Sequence, residues 1–289
     1  MTIRTILVSF DGSDAGSATL DAALMLGRQF AVHVDVLHVR PDSLAQVPAI
    51  GDGMSGGMAE RISRKEARKS SDQAEEARLL FDQACTRLEV PQVDDATVPE
   101  GPSVSWIERV GRRHAVTIRL GRVHDLIVVG PPSDSRDLSQ SLTVRALFET
   151  GRPVLMVPGQ PPATIGRRIA VAWNGSAECA RALGGASNFF TAADEVVILT
   201  AHSDRTPVSV VPELQTYLEH HKVKVETRVF AELGKKLLSG RQLLDACREA
   251  SADLLVMGAY REGALRKMVL GSATREVLAT ADVPLLMGH

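Results

Sequence analysis

The stretch with the clearest chemical capacity is Gly258-Ala-Tyr-Arg-Glu-Gly-Ala-Leu-Arg-Lys-Met-Val-Leu-Gly271-Ser272, which leaves an apolar run and re-enters a helix-like one. Gly258 frees the backbone to turn sharply off a strand. Gly271 supplies an uncrowded backbone and Ser272 an N-capping hydroxyl at a helix start, where free N–H groups favour an anion. Arg261, Arg266 and Lys267 add charge-assisted donors. The pattern fits a phosphate cradle. It also fits a surface loop ended by an ordinary serine cap, and spacing alone leaves both open. Asp11-Gly12-Ser13 and Asn174-Gly175-Ser176 form a second pair of candidates, each ending an apolar run. A carboxylate or amide there can hydrogen-bond a ligand hydroxyl, or simply turn the chain and cap the next helix.

Other combinations carry less. Gly51-Asp-Gly53-Met-Ser-Gly56 spells GxGxxG, yet it lies about ten residues past the nearest strand, lacks the strand–turn–helix setting and reads as a mobile loop. Gly234-Lys235-Lys236 lacks the upstream glycine and following hydroxyl of a P-loop. His220 and His221 are adjacent on a helix and point in different directions, as at a solvated helix end. Cys85, Cys179 and Cys247 are odd in number and lack CxxC spacing, so no metal or disulfide framework is expected. The mixed charges of 60–78 read as an exposed helix face. No Ser-His-Asp, Cys-His or paired-carboxylate arrangement has supporting context, so no catalytic residue is named.

The elements that must position the candidates occur twice. Ile-Leu-Val-Ser-Phe-Asp-Gly-Ser at Ile6–Ser13 is answered by Ile-Ala-Val-Ala-Trp-Asn-Gly-Ser at Ile169–Ser176. His124–Gly130 is answered by Ala252–Gly258, and each half closes on a Pro-centred apolar segment, Arg152–Pro158 and Asp282–Met287. Matches at the start, late middle and end of each half imply two copies of one domain, 1–158 and 167–289, joined by the stiff Pro158–Gly166 linker. Apolar β-branched runs alternate with helical periodicity: a strand at Arg4–Phe10, a helix over Ala15–Phe30, a strand at Val32–Val39, a long polar helix over Met58–Leu88, a weak strand near Gln92–Val98 and a helix near Ser103–Arg113. The second half repeats this plan, with helices at Ala177–Phe190 and Lys236–Ala250 among its elements. Continuous apolar strands alternating with helices predict an α/β fold, two doubly wound parallel-sheet domains in tandem. In such sheets ligands bind beyond the carboxyl ends of the strands, where strand order reverses.

Composition narrows the partners. The 289 residues are 44% hydrophobic and 24% charged, enough for two cores of about 150 residues each. A net charge of -2 gives no general electrostatic drive toward nucleic acid or an anionic membrane. With no signal-peptide pattern and no apolar run near the roughly 18 residues of a spanning helix, the cytoplasm is the expected location.

The doubled plan, the two strand-one endings and the Gly258 to Gly271-Ser272 loop together resemble a tandem universal stress protein over essentially the whole chain. The resemblance implies a Rossmann-like, adenine-nucleotide-hydrolase-like fold. Nucleotide-binding members carry Gly-x2-Gly-x9-Gly-Ser/Thr after strand four, met here at Gly258, Gly271 and Ser272 but not at the second glycine, where Arg261 stands. An arginine restricts the backbone there, while its guanidinium can grip a phosphate. The resemblance implies ATP or AMP, with magnesium as its companion, held by Asn174, Leu199, Thr200, Gly258, Arg261, Gly271, Ser272 and Ala273. Leu199 and Thr200 match the strand-two end whose backbone meets adenine, and Asn174 replaces an acid, leaving a weaker magnesium ligand. The first half keeps Asp11 but has Pro131-Pro132 and a loop shorter by three residues when Pro153 is aligned with Pro284, with Gln140 in place of Gly271. It is expected not to bind nucleotide in the same way. In the family, domains pair through their last strands, so Val154–Val157 and Leu285–Met287 are expected to meet as an intramolecular pseudo-dimer, with a homodimer a further level of assembly.

Three functions follow: a stress-response module that holds ATP or AMP and signals to an unknown protein partner, a nucleotide-independent interaction protein, and a slow ATPase. The last ranks lowest because neither base nor nucleophile can be named.

Overall fold

A computed structural model describes residues 2–41, 56–94, 100–132, 138–160, 162–201, 211–230, 239–259 and 270–289. The first half contains strands β1 (Thr5–Phe10), β2 (His33–Arg40), β3 (Ser103–Val110), β4 (Leu126–Val129) and β5 (Val154–Met156). Its helices are α1 (Asp14–Phe30), α2 (Gly56–Arg87), α3 (Arg113–Gly121) and α4 (Leu142–Glu149). The second half contains β6 (Arg168–Ala172), β7 (Glu195–Ala201), β8 (Lys224–Phe230), β9 (Leu254–Gly258) and β10 (Leu285–Gly288). Its helices are α5 (Ala177–Gly185), α6 (Ser187–Ala192), α7 (Val211–His220), α8 (Gly240–Glu249) and α9 (Ser272–Thr280).

All strands join one sheet in the order β3-β2-β1-β4-β5-β10-β9-β6-β7-β8. Within each half the pairing is parallel, and the halves meet where β5 and β10 pair antiparallel, Leu285 opposite Met156 and Met287 opposite Val154. The expected pairing of last strands is therefore present. Helices cover both faces, so consecutive residues such as Ile6, Leu7 and Val8 are all buried, as a two-sided parallel sheet requires. One apolar cluster runs from Ile6 and Val8 through Leu155 to Val171 and Val256, and Phe30 meets Phe189 edge-on at 4.9 Å, so the halves share a core. No helix among the described residues is long and apolar enough to cross a membrane.

The repeated motifs have local causes. Asp125 Oδ2 accepts the backbone N–H groups of Arg4 and Thr5 at 2.9 and 3.1 Å, and Asp253 Oδ1 likewise accepts those of Gly166 and Arg168 at 3.0 and 2.9 Å. Each Asp-Leu pair thus ties the start of the fourth strand of its half to the start of the first. A half-buried polar cluster braces the first half: Asp35 accepts from His124 Nε2 at 2.8 Å, pairs with His33 Nε2 at 3.1 Å and accepts from the Ser105 hydroxyl. Burial opposes ionisation of Asp35, but the hydrogen bonds from His124, His33 and Ser105 outweigh it and hold the carboxyl well below its usual range.

Three expectations are corrected. Ser103–Val110, expected as a helix, is the edge strand β3, in register with β2 from His33↔Ser103 to Arg40↔Val110. Gly-Pro-Ser at 101–103 resembles a helix start, but Val104 and Ile107 are buried in the sheet and Ser105 is claimed by Asp35, and this tertiary pairing overrides the local signal. The weak strand expected near Gln92 reduces to a bridge between Gln92 and Val104, and part of that segment lies outside the described residues. The helix expected over Ala177–Phe190 is two, broken after Gly184-Gly185. Within Lys236–Ala250, helix α8 begins at Gly240 behind a Ser239–Gln242 capping box, while 231–238 lies outside the described residues. The 51–55 part of the GxGxxG stretch and all of Gly234-Lys235-Lys236 also lie outside them.

Candidate functional site

In the second half β6 stands between β7 and β9, with Ala172 opposite both Leu199 and Met257. The chain runs β6 to β7 to β8 in one direction and then crosses back to β9, so strand order reverses between β6 and β9. The carboxyl ends of these strands bring Asn174, Leu199, Thr200 and Gly258 to one edge of the sheet, as the topology rule requires.

Asn174 organises its own turn. Its Oδ1 accepts the Ser176 N–H at 3.0 Å and the Cys179 thiol at 3.0 Å, Gly175 takes φ +73°, and Ser176 Oγ accepts the Cys179 N–H at 3.3 Å to cap α5. The first half builds the same turn: Asp11 Oδ1 accepts the Ser13 N–H at 3.1 Å and hydroxyl at 2.6 Å, Gly12 takes φ +78°, and Ser13 Oγ accepts the Gly16 N–H. An Asx turn followed by a left-handed glycine and a serine cap explains the repeated tripeptide structurally. What Asn174 leaves free is its exposed Nδ2 donor, which makes no hydrogen bond among the described residues. Leu199 and Thr200 are buried, and the Leu199 carbonyl accepts the Trp173 N–H at 2.9 Å, so their offering to a ligand is backbone.

Gly258 has a different reason from the one its motif suggests. A Cβ there would lie 2.5 Å from the Cys179 nitrogen and 2.8 Å from the Glu178 carbonyl carbon, because the first turn of α5 rests directly on the end of β9. Close packing, more than a sharp turn, requires this glycine. At α9 the cap differs by one residue from expectation: Gly271 occupies the N-cap position with φ -57° and ψ 150°, and Ser272 is the first helical residue, exposed, so its hydroxyl does not cap. Ala273 follows in the first turn, half-buried. No side chain among the described residues accepts from that turn, and uncapped N–H groups at a helix start suit an anion. Arg261, Arg266 and Lys267 fall in 260–269, outside the described residues.

The matching helix of the first half is closed. Ser141 Oγ accepts the Val144 N–H at 3.2 Å and donates to the Leu138 carbonyl at 2.7 Å, and the Gly130 carbonyl is taken by the Thr143 hydroxyl at 3.1 Å. Asp11 is ion-paired with Arg113 at 2.6 Å. Burial raises the Asp11 pKa, but the Arg113 charge and the Ser13 hydrogen bonds prevail and hold it below its ordinary value. The sequence reading missed Arg113 and also His38, which bonds the Phe10 carbonyl through Nδ1 at 3.1 Å and stacks on Trp106 at 5.5 Å. Neither has a local signal: the pairing of β1 with β2 sets His38 opposite Phe10, and the start of α3 carries Arg113 to Asp11.

Comparison with known proteins agrees with this fold. The family model described as "Universal stress protein family" matches residues 2–158 and 166–289. Universal stress protein Slr1230 of Synechocystis is 22% identical over 299 residues, covering 98% of this chain and 99% of that protein. Among solved structures, a universal stress protein from Archaeoglobus fulgidus has a TM-score of 0.70 at 17% identity, covering 98% of this chain and 94% of its own. A putative universal stress protein from Pseudomonas aeruginosa has a TM-score of 0.52 at 18% identity, covering 98% and 92%. Matched twice along its length by one family, with both matches built as Rossmann-like α/β units, the chain belongs to the universal stress protein family.

Proposed function

We propose that this protein is a stress-response regulator that binds ATP or AMP in its second half and signals to a protein partner. The supporting observation is the contrast between two equivalent helices: α4 closes its first turn with Ser141, whereas among the described residues no side chain caps the first turn of α9 behind Gly271, beside the strand-order reversal. An anion at such a terminus gains about 0.3–1 kcal/mol from the helix dipole, beyond its hydrogen bonds. In this reading the backbone of Gly271, Ser272 and Ala273 holds phosphate, Asn174 Nδ2 donates to a ribose hydroxyl, the Leu199–Thr200 backbone meets adenine, and Arg261 adds charge. Asn174 Oδ1 already accepts two hydrogen bonds, so magnesium accompanying ATP rests on the phosphates and not on this residue.

Isothermal titration with ATP and with AMP tests the reading. It expects about one nucleotide per chain, and loss of binding in Gly271→Arg, which crowds the open turn. No heat and no melting shift at millimolar nucleotide would favour the nucleotide-independent interaction protein, the reading to which the amide at Asn174 lends support. Turnover of ATP that depends on a divalent metal and is lost in the same variant would instead favour an ATPase.

A further inference from the structure

We infer that helix α2 pairs antiparallel with α2 of a second copy of this chain, through a charged stripe on its outward face. The helix is longer than its sheet requires. It has 32 residues, whereas its counterpart α7, which follows the second strand of the other half, has 10 and buries Val211, Leu214 and Leu218. The buried residues of α2 begin at Ala74 and continue through Ala77, Phe81, Ala84 and Cys85. Ahead of Ala74 the helix runs on for about 27 Å. Lys65, Arg68, Lys69, Asp72 and Gln73 are exposed there, and so is Ala67, one heptad before Ala74 and on the same side of the helix. That end of α2 therefore overhangs the body of the domain.

The outward face carries Lys65, Lys69, Asp72 and Glu76, spaced four, three and four residues apart, which makes one stripe opposite Ala74, Ala77 and Phe81. All four are exposed. None has an ion pair or side-chain hydrogen bond among the described residues, although Arg68 and Lys69 stand four and three positions before Asp72. A solvated helix face is ordinarily laced with opposite charges at i,i+4. Here like follows like, since Lys65–Lys69 and Asp72–Glu76 are both i,i+4 pairs that repel. An inverted copy relieves both repulsions. A two-fold axis between Ser70 and Ser71 sets Lys65 opposite Glu76 of the copy and Lys69 opposite Asp72 of the copy, and the symmetry makes each pair twice. Leu79, 57% exposed and three positions past Glu76, extends the same stripe with apolar surface that the copy covers. An acidic segment of a foreign protein would attract Lys65 and Lys69 but be repelled by Asp72 and Glu76, whereas a second copy satisfies all four.

The test is sedimentation equilibrium of the full chain from about 1 µM to about 1 mM, in about 0.05 M and about 1 M salt. A dimer is expected in low salt and is expected to weaken at least about tenfold in high salt, because exposed charges make the contact. Lys65→Glu and Glu76→Lys are each expected to weaken it about tenfold or more, and the double variant Lys65→Glu/Glu76→Lys to return it to within about threefold of the parent. The two positions lie about 16 Å apart along one helix, so that recovery cannot arise within a single chain; circular dichroism checks that each variant is folded. A parent still monomeric at about 1 mM in low salt, a dimer that either single change leaves intact, or a double variant no stronger than the singles would each overturn the inference. A monomeric parent that binds an oligoglutamate peptide through Lys65 and Lys69 would also overturn it, and would assign the stripe to a foreign acidic segment.

Discussion

Replacing Gly258 by alanine tests whether the first glycine of the loop motif is held by packing. The added methyl would stand 2.5 and 2.8 Å from backbone atoms of Cys179 and Glu178, and 2.9 Å from the Glu178 Cβ. None of these is the tip of a flexible side chain, so relief requires α5 to withdraw from β9 by most of an ångström. Overpacking of this kind costs about 1–3 kcal/mol, a fall in melting temperature of roughly 2–10 °C for a chain of this size. Gly184, inside α5 with nothing within 4 Å of its would-be Cβ, is the control, and its alanine variant is expected to gain about 0.4–1 kcal/mol. Both variants are read by urea and thermal denaturation followed by circular dichroism. Because α5 carries the Asn174–Ser176 turn at its start, Gly258→Ala is also expected to weaken nucleotide binding, whereas Gly184→Ala is not. A Gly258→Ala protein as stable as its parent would refute the packing argument.

Further outcomes follow from the core and the titrating groups. Asp35→Asn is expected to cost about 2–4 kcal/mol at neutral pH, since it replaces a carboxylate that receives charge-assisted and neutral hydrogen bonds from His124, His33 and Ser105. The folded pKa of Asp35 is depressed, so its contribution is present above the unfolded value near 3.9 and disappears as pH falls through the folded one; urea melts should show the gap between parent and variant narrowing only in strong acid. Leu286→Ala, at the centre of the β5–β10 seam opposite Leu155, is expected to cost about 2–5 kcal/mol and to loosen both halves together, which hydrogen exchange would resolve. Cys85 and Cys247 are buried and their thiols are pushed up to about 12, so a disulfide reagent at pH 8 should leave both unmodified until the protein unfolds.

What the sequence made legible was whatever the chain builds locally. The Asp11 and Asn174 turns, the Asp125 and Asp253 ties and the serine caps are made by residues a few positions apart or by motifs that recur, so two copies of one α/β plan could be read directly. Strand β3 was not legible, because Ser103–Val110 becomes a strand only through β2 and through Asp35, about seventy residues earlier. The site was half legible. Gly271 and Ser272 were recognisable as a helix start, but which of them stands at the cap is decided by one residue of backbone geometry. Gly258 was identified for its motif, and its reason, the first turn of α5 pressed against it, lies some eighty residues away in sequence.

The central claim is that the second half holds an adenine nucleotide at the open turn of α9. Purified protein should be denatured and any released small molecule identified by chromatography and mass spectrometry, alongside Gly271→Arg purified in parallel. The account predicts ATP or AMP from the native chain, at about one per chain after saturation, and none from the variant. Adenine nucleotide released equally from both proteins, or none from either together with no melting shift at millimolar ATP, would contradict it.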